Sequence, residues 1–352
     1  MTFKVTISTE IPEFWDDNLL KHNSSTAYQL SVWGKIYQKS YNSIPFFLQV
    51  TRNDELLSQL MVLLHNDYLW KNVNFLSNVI GNKLKIKNSL GWIYGPIIHD
   101  SENHKEIMEL LLNSLDTIAK ENNVNYIRGT IPPNFDISTE SIFEKSGYSS
   151  TPWTTHVINL KQDEDSIYSQ LDKKTRYDIR KSEKNKLKFE IGDNFNSLLA
   201  FDNMKQNSKN VITDNSDLQK NRWDYLYNTS NGKLFLAKLE NNYIGSISSL
   251  TFNKNIVQHG VTNIKQNLLG GTFLTWNLIK WGIKNNFNTL DLGGINPNPQ
   301  NNKEKQISFY KSKWGGKNFK YNIYTKIFDN TRHKISTILQ NPNKVKNFLK
   351  SN

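Results

Sequence analysis

The chain has 352 residues, 37% hydrophobic and 12% aromatic, enough for two α/β domains or one large one and too apolar for wholesale disorder. Lys and Arg number 44 against 32 Asp and Glu, a formal charge of +12. That balance favours a polyanionic partner (nucleic acid, an anionic membrane face or a phosphate-rich substrate), and the absence of cysteine excludes a disulfide scaffold, a thiol nucleophile and thiolate metal sites.

The seven histidines, at 22, 65, 99, 104, 156, 259 and 333, show no ligand spacing, so no metal site is expected. The N-terminal stretch MTFKVTISTEIPEFWDD lacks a long apolar core, and nowhere do 18 apolar residues run together. A soluble, cytoplasmic protein is expected.

In chain order, Phe3 to Ile7 alternates as a strand and Phe14 to Leu20 reads as a short helix. Leu30, Trp33, Ile36 and Tyr37 then fall at helical spacing. Phe46 to Thr51 and Leu57 to His65 read as paired strands around an Arg52-Asn53-Asp54-Glu55 turn. A strand ending at Gly95-Pro96 precedes an amphipathic helix over 104–122, with Ile107, Leu110, Leu111, Leu115 and Ile118 on one face. Tyr126 to Ile131 is a strand stopped by Pro132-Pro133.

A second unit begins with a strand at His156 to Leu160 and one long helix from Asp163 to Lys184. Inside that helix Lys173, Lys174, Arg176, Arg180, Lys181 and Lys184 form a basic run, with Arg176 and Arg180 on one face. Helices over 195–204 and 218–228 flank a polar linker, KQNSKNVITDNSD, that contains Lys209. Strands over 234–239, 244–253 and 256–262, a helix over 272–284 after Gly270-Gly271, and a strand over 290–292 complete the unit. A strand over 321–328 and a basic terminal helix over 331–350, interrupted at Pro342, close the chain.

The stretch from Thr289 to Gly316 carries the densest chemistry. Leu290-Asp291-Leu292 breaks at Gly293-Gly294, a Pro- and Asn-rich loop follows, and Phe309-Tyr310-Lys311-Ser312-Lys313-Trp314 runs into Gly315-Gly316. Glycine pairs suit a strand end that opens on a pocket, where α/β sheets bind ligands. The plainer reading of these residues is strand, surface loop and second strand, with Lys311 solvated. The other reading has aromatic neighbours hold the lysine stem while its ammonium reaches a phosphate or an oxyanion.

Asp291, Gly293, Gly294, Tyr310, Lys311, Trp314, Gly315 and Gly316 together resemble the C-terminal signature of the FemABX family of aminoacyl-tRNA-dependent peptidyltransferases. Tyr310 and Trp314 stand where the family more often has phenylalanine. Lys173, Arg176, Ile179 and Arg180 are similar to the family's basic helix at the start of its second domain, and Gly95-Pro96 to its Gly-Pro segment. The resemblance implies an α/β fold of two tandem units of the acyltransferase type called GNAT, in a compact form without a helical-hairpin insertion. It sets the units at residues 1–152 and 153–328, with residues 329–352 as a terminal helix packing on the first unit.

The resemblance also implies an acyltransferase that needs neither cofactor nor metal. The donor would be aminoacyl-tRNA, and the acceptor a peptide or a nucleotide- or lipid-linked peptide precursor of the cell wall. A monomer is expected, with the terminal helix as a possible point of contact with an anionic membrane face. Lys311, Tyr310 and Asp291 are the implied catalytic residues; Trp33, Lys35, Arg176, Arg180, Lys209, Gly293 and Gly294 the implied substrate contacts. The alternative is an acyl-CoA-dependent N-acyltransferase that seats its pyrophosphate at Gly270-Gly271. The usual Gln/Arg-x-x-Gly-x-Gly/Ala pattern is out of register there, with Leu269 standing three residues after Gln266. A third reading keeps the chain as an RNA-binding module built on the basic helix.

Overall fold

A computed structural model describes residues 2–23, 25–66, 88–133, 140–209, 216–263 and 268–339. The chain divides into two units, Met1–Thr151 with Tyr321–Asn352, and Pro152–Lys320. Among the described residues no helix is long and apolar enough to cross a membrane.

In the first unit, β1 (Lys4–Ser8), α1 (Trp15–Leu20) and α2 (Ser31–Tyr41) precede β2 (Ile44–Arg52), β3 (Glu55–Asn66) and β4 (Asn88–Trp92). The short β5 (Ile97–Ile98) pairs with β3, and α3 (His104–Glu121) leads to β6 (Tyr126–Thr130), which lies parallel to β4. Strands β1 to β4 are joined antiparallel in sequence order, as a chain of hairpins would be. The helix α3 buries Ile107, Met108, Leu111, Leu112, Leu115, Ile118 and Ala119; Leu110, expected on that face, lies at its margin. A helix missed in the sequence, α4 (Glu140–Lys145), buries Ile142 and Phe143.

The second unit repeats this order. After β7 (Ser149–Asn159), α5 (Glu164–Gln170) and α6 (Lys173–Lys184) come β8 (Lys188–Gly192), α7 (Phe195–Lys209) and α8 (Ser216–Arg222), the last running into a π-helical turn at Trp223–Tyr227. Then β9 (Gly232–Leu239), β10 (Asn242–Phe252) and β11 (Asn255–Asn263) form an antiparallel set with β8. Helix α9 (Gly270–Lys284) returns the chain to β12 (Thr289–Asp291), parallel to β11 and antiparallel to β7. From β1 in the first unit, with the short β5 added, and from β8 in the second, strand, two helices, three strands, helix and parallel strand is thus a shared plan.

The last elements are α10 (Asn302–Ser312), β13 (Lys317–Ile327) and α11 (Asn330–Leu339). Residues 321–327 of β13, read from the sequence as part of the second unit, are grouped with the first, and Ile323 to Ile327 pair with β6. His333 of α11 meets the Tyr126 ring edge-on, with centroids 5.0 Å apart. The expected continuation of this helix beyond residue 339 and past Pro342 lies outside the described residues.

Four local expectations need correction. The single helix over 163–184 is two helices, because Asp172 turns extended (ψ 161°) and its carboxylate caps α6 by accepting from the Thr175 amide at 2.8 Å. The polar linker is helical through Lys209, and its residues 210–215 lie outside the described ones. Gly270 and Gly271 do not precede the helix but form its first turn. The run 309–314 is not a strand: α10 starts at an Asn301 cap that accepts from the Glu304 amide at 2.9 Å, while Glu304 receives the Gln300 amide. Strand β8, Lys188–Gly192, was also missed, since its alternation is short and half-polar.

Candidate active site

All of the site described here belongs to the second unit. Its sheet positions it. The parallel pairing of β11 with β12 ends at Val257 opposite Asp291. Beyond that point the chain stays with β7, through the Leu292 amide to the His156 carbonyl at 3.0 Å and the Ile295 amide to the Thr154 carbonyl at 2.7 Å. Strand β11 meanwhile runs on to Asn263, so the two strands part where Gly293 turns away. Gly293 sits at φ 80°, a left-handed conformation open to glycine. A Cβ there would stand 3.0 Å from the Gln258 carbonyl and 3.3 Å from the Lys311 Nζ.

Lys311, in the last turn of α10, points its ammonium at this turn. Its Nζ donates to the carbonyls of Gly293, at 2.8 Å, and Gly294, at 3.3 Å. The expectation of a solvated lysine therefore fails, because α10 lays its C-terminal turn over the strand end. Burial draws the Lys311 pKa down to about 8, and Asp291 opposes that fall only in part. Lys311 is thus a partly desolvated cation that still carries its charge at neutral pH.

Asp291 is buried at 7% exposure. Its Oδ1 accepts the hydroxyl of Thr155 from the adjoining strand and, at 2.7 Å, the Gly293 amide. Desolvation raises its pKa against these bonds and the pull of Lys311. The carboxylate therefore braces the Gly293 turn from inside the sheet. Tyr310 plays a similar tying role at α9: its hydroxyl donates to the Gly271 carbonyl at 2.7 Å, which leaves Thr275 to donate to it at 2.8 Å. Burial pushes the Tyr310 phenol up to about 12, so it stays neutral.

Lys313 was not singled out in the sequence. It donates to the Thr272 hydroxyl at 3.1 Å, lies 4.9 Å from the Tyr310 ring centroid and pairs with Asp178 at 3.9 Å. Burial lowers its pKa, with Asp178 and Asp172 opposing. His156, beside Thr155, faces the Asn318 amide at 3.4 Å. Its pKa is lowered by burial and then by Lys311, so the ring is neutral at pH 7. No sequence spacing announces Thr155, His156, Thr272 or Lys313, since each joins the site through space.

The remaining expected residues are placed as follows. Arg176 donates to the Ser169 carbonyl at 2.9 Å and Arg180 to the Tyr168 hydroxyl at 3.3 Å, so both clasp α5 to α6. A Cβ on Gly270 would meet Asn263 Oδ1 at 2.9 Å, which explains glycine at the start of α9. Gln266 and the side chain of Lys209 lie outside the described residues. Trp33 and Lys35 belong to the first unit: Trp33 is buried, donates to the Ala27 carbonyl at 2.8 Å and stacks between Tyr28 and Tyr37, while Lys35 is exposed. Among the described residues no group of three or more His, Asp or Glu side chains is placed to hold a metal ion.

No protein-family model matches the sequence, and no curated protein matches it. Solved structures do match the fold. FemX superposes with a TM-score of 0.68 at 13% identity, covering 97% of this chain and 100% of that one. A tandem GNAT protein from the clavulanic acid biosynthesis pathway gives 0.55 at 8% identity, covering 93% and 98%. L-PGS from Bacillus licheniformis gives 0.51 at 9% identity, covering 81% and 87%. The fold is therefore of the FemABX type, α/β and built of GNAT-like units.

Proposed function

We propose that this chain is an acyltransferase that moves an amino acid from aminoacyl-tRNA to the amine of a peptide acceptor of the cell-wall precursor type. The observation that carries the reading is the Lys311 ammonium, buried and fixed on two carbonyls where β11 and β12 part. The likeness to FemX supports it. Aminoacyl-tRNA is an activated ester, so no protein nucleophile is needed. The acceptor amine attacks the ester carbonyl, the C–N bond forms, the C–O bond to the ribose breaks, and the proton lost by the amine ends on the freed ribose hydroxyl.

In this reading Lys311 stabilises the oxyanion of the tetrahedral intermediate or the terminal phosphate of the donor. Burial has partly desolvated its ammonium, and there a charge counts for more than in bulk. Gly293 and Gly294 let the ester approach the backbone. Asp291 and Tyr310 hold the turn and α9 in place around Lys311 and need not touch substrate. Arg176 and Arg180, on their clasped helix, take donor or acceptor phosphates, and Lys35, beside Trp33, contacts the acceptor. Lys209 is assigned to the acceptor as well.

A second reading, acyl transfer from acyl-CoA, draws on the tandem GNAT likeness and on a glycine-led helix at Gly270-Gly271. The two separate in one measurement. Under the first, aminoacyl-tRNA raises the thermal midpoint by the equivalent of about 2.7 kcal/mol at a hundredfold excess over Kd, and deacylated tRNA at the same concentration raises it less. Protection by acetyl-CoA alone would replace the first reading with the second.

A further inference from the structure

Two aromatic side chains of the second unit are exposed among lysines, one on α6 and one on α10 two residues before Lys311. On α6 the buried residues Thr175, Ile179 and Ser182 define one side. Tyr177 stands at the middle of the opposite side, 57% exposed, with Lys174 three residues before it and Lys181 four after. On α10 Phe309 is 63% exposed, one turn after the exposed Lys305. The helices meet here: Lys174 Nζ lies 6.0 Å from the Phe309 ring centroid, and Lys313 pairs with Asp178 at 3.9 Å. That ion pair engages Asp178, which neighbours Tyr177, with Lys313 and not with Lys174, Lys181 or Lys305.

An exposed aromatic contributes little to a core, and two of them interleaved with lysines have the composition of a strand-binding surface. Flat rings accept unpaired bases of any sequence by stacking, and lysines around them take the phosphates. A membrane fits less well. A helix lying in a bilayer interface needs a continuous apolar face, whereas the exposed side of α6 offers one tyrosine among cations.

We propose that Tyr177 and Phe309, with Lys174, Lys181 and Lys305, form a docking surface for a single-stranded RNA segment. This rests on the RNA-donor reading above and extends it, by setting the track of the strand on α6 and α10. Bases stack on the two rings, and the lysines neutralise the backbone.

The test is fluorescence anisotropy of a labelled, unacylated single-stranded RNA of about 12 nucleotides against the full chain, over a salt series. Tyr177→Ala and Phe309→Ala are each expected to weaken binding roughly 5- to 160-fold while leaving the salt slope unchanged. Lys174→Ala is expected to weaken it and to shrink the slope by about 0.7. All three sites are exposed, and an unchanged thermal midpoint verifies the fold. Wild-type affinity in both aromatic variants overturns the surface and leaves the donor reading standing. A wild type that ignores RNA but is protected by acetyl-CoA overturns both. Binding to vesicles rich in anionic lipid, lost in the same variants and with no RNA binding, assigns the patch to a membrane and overturns the proposal.

Discussion

Lys311 Nζ donates to the Gly293 carbonyl at 2.8 Å, so a strongly desolvated cation of the site is held by a residue whose backbone is left-handed. The pair joins the end of a helix to the end of a strand, and most of what can be tested about the site passes through it.

Lys311→Met removes the charge and keeps the stem. Transfer from aminoacyl-tRNA is expected to fall about 100- to 1000-fold in kcat, the scale of losing one oxyanion donor. The relief of a buried charge and the loss of a donor to two carbonyls oppose each other in stability. The thermal midpoint should therefore stay within about 4 °C. Near-normal turnover would remove Lys311 from the mechanism.

The lowered pKa of Lys311 gives a pH signature. If the cation is the working form, kcat/KM holds below about pH 8 and then falls tenfold per unit as the lysine loses its proton. For stability the sign is the reverse. The folded pKa lies below the unfolded value of about 10.4, so the unfolded chain binds more protons between the two and this lysine's contribution rises with pH across that window. A flat rate profile through pH 9.5 would contradict the assignment.

Gly293→Ala forces a Cβ into a left-handed position, 3.0 Å from the Gln258 carbonyl and 3.3 Å from Lys311 Nζ. A loss of about 1–3 kcal/mol in urea unfolding is expected, with activity falling further than stability explains. An alanine variant as stable and active as the parent would show that the turn is not needed.

Asp172→Ala should cost about 1 kcal/mol, because the carboxylate caps α6 through the Thr175 amide at 2.8 Å. Amide exchange over the first turn of α6 is the readout. Unchanged protection there would mean that packing of Thr175 and Ile179, and not the cap, sets where the helix begins.

Much of the strand order was legible. The hairpin of β2 and β3 follows from alternation around the Arg52–Glu55 turn, and β9 to β11 from three β-rich runs with Asn-rich turns between them. The Asn301-x-x-Glu304 cap of α10 was also in the sequence, but the aromatic run after it drew the reading toward a strand. Asp172, immediately before the basic run that starts at Lys173 and with Thr175 three residues later, was a cap signal lost inside a longer helical period.

By itself the sequence determined which segments alternate and which repeat at helical spacing, where glycine pairs break a strand, and that Asp291, Gly293 and Lys311 share one stretch. Those are properties of neighbours along the chain, set by backbone sterics and side-chain period. Only the tertiary structure decided that Lys311 is buried, that Thr155 braces Asp291, that Lys313 rests on Thr272 and that Phe309 stands beside Lys174. Burial and through-space charge depend on which distant strand or helix arrives at the same place, and no local pattern encodes that arrival.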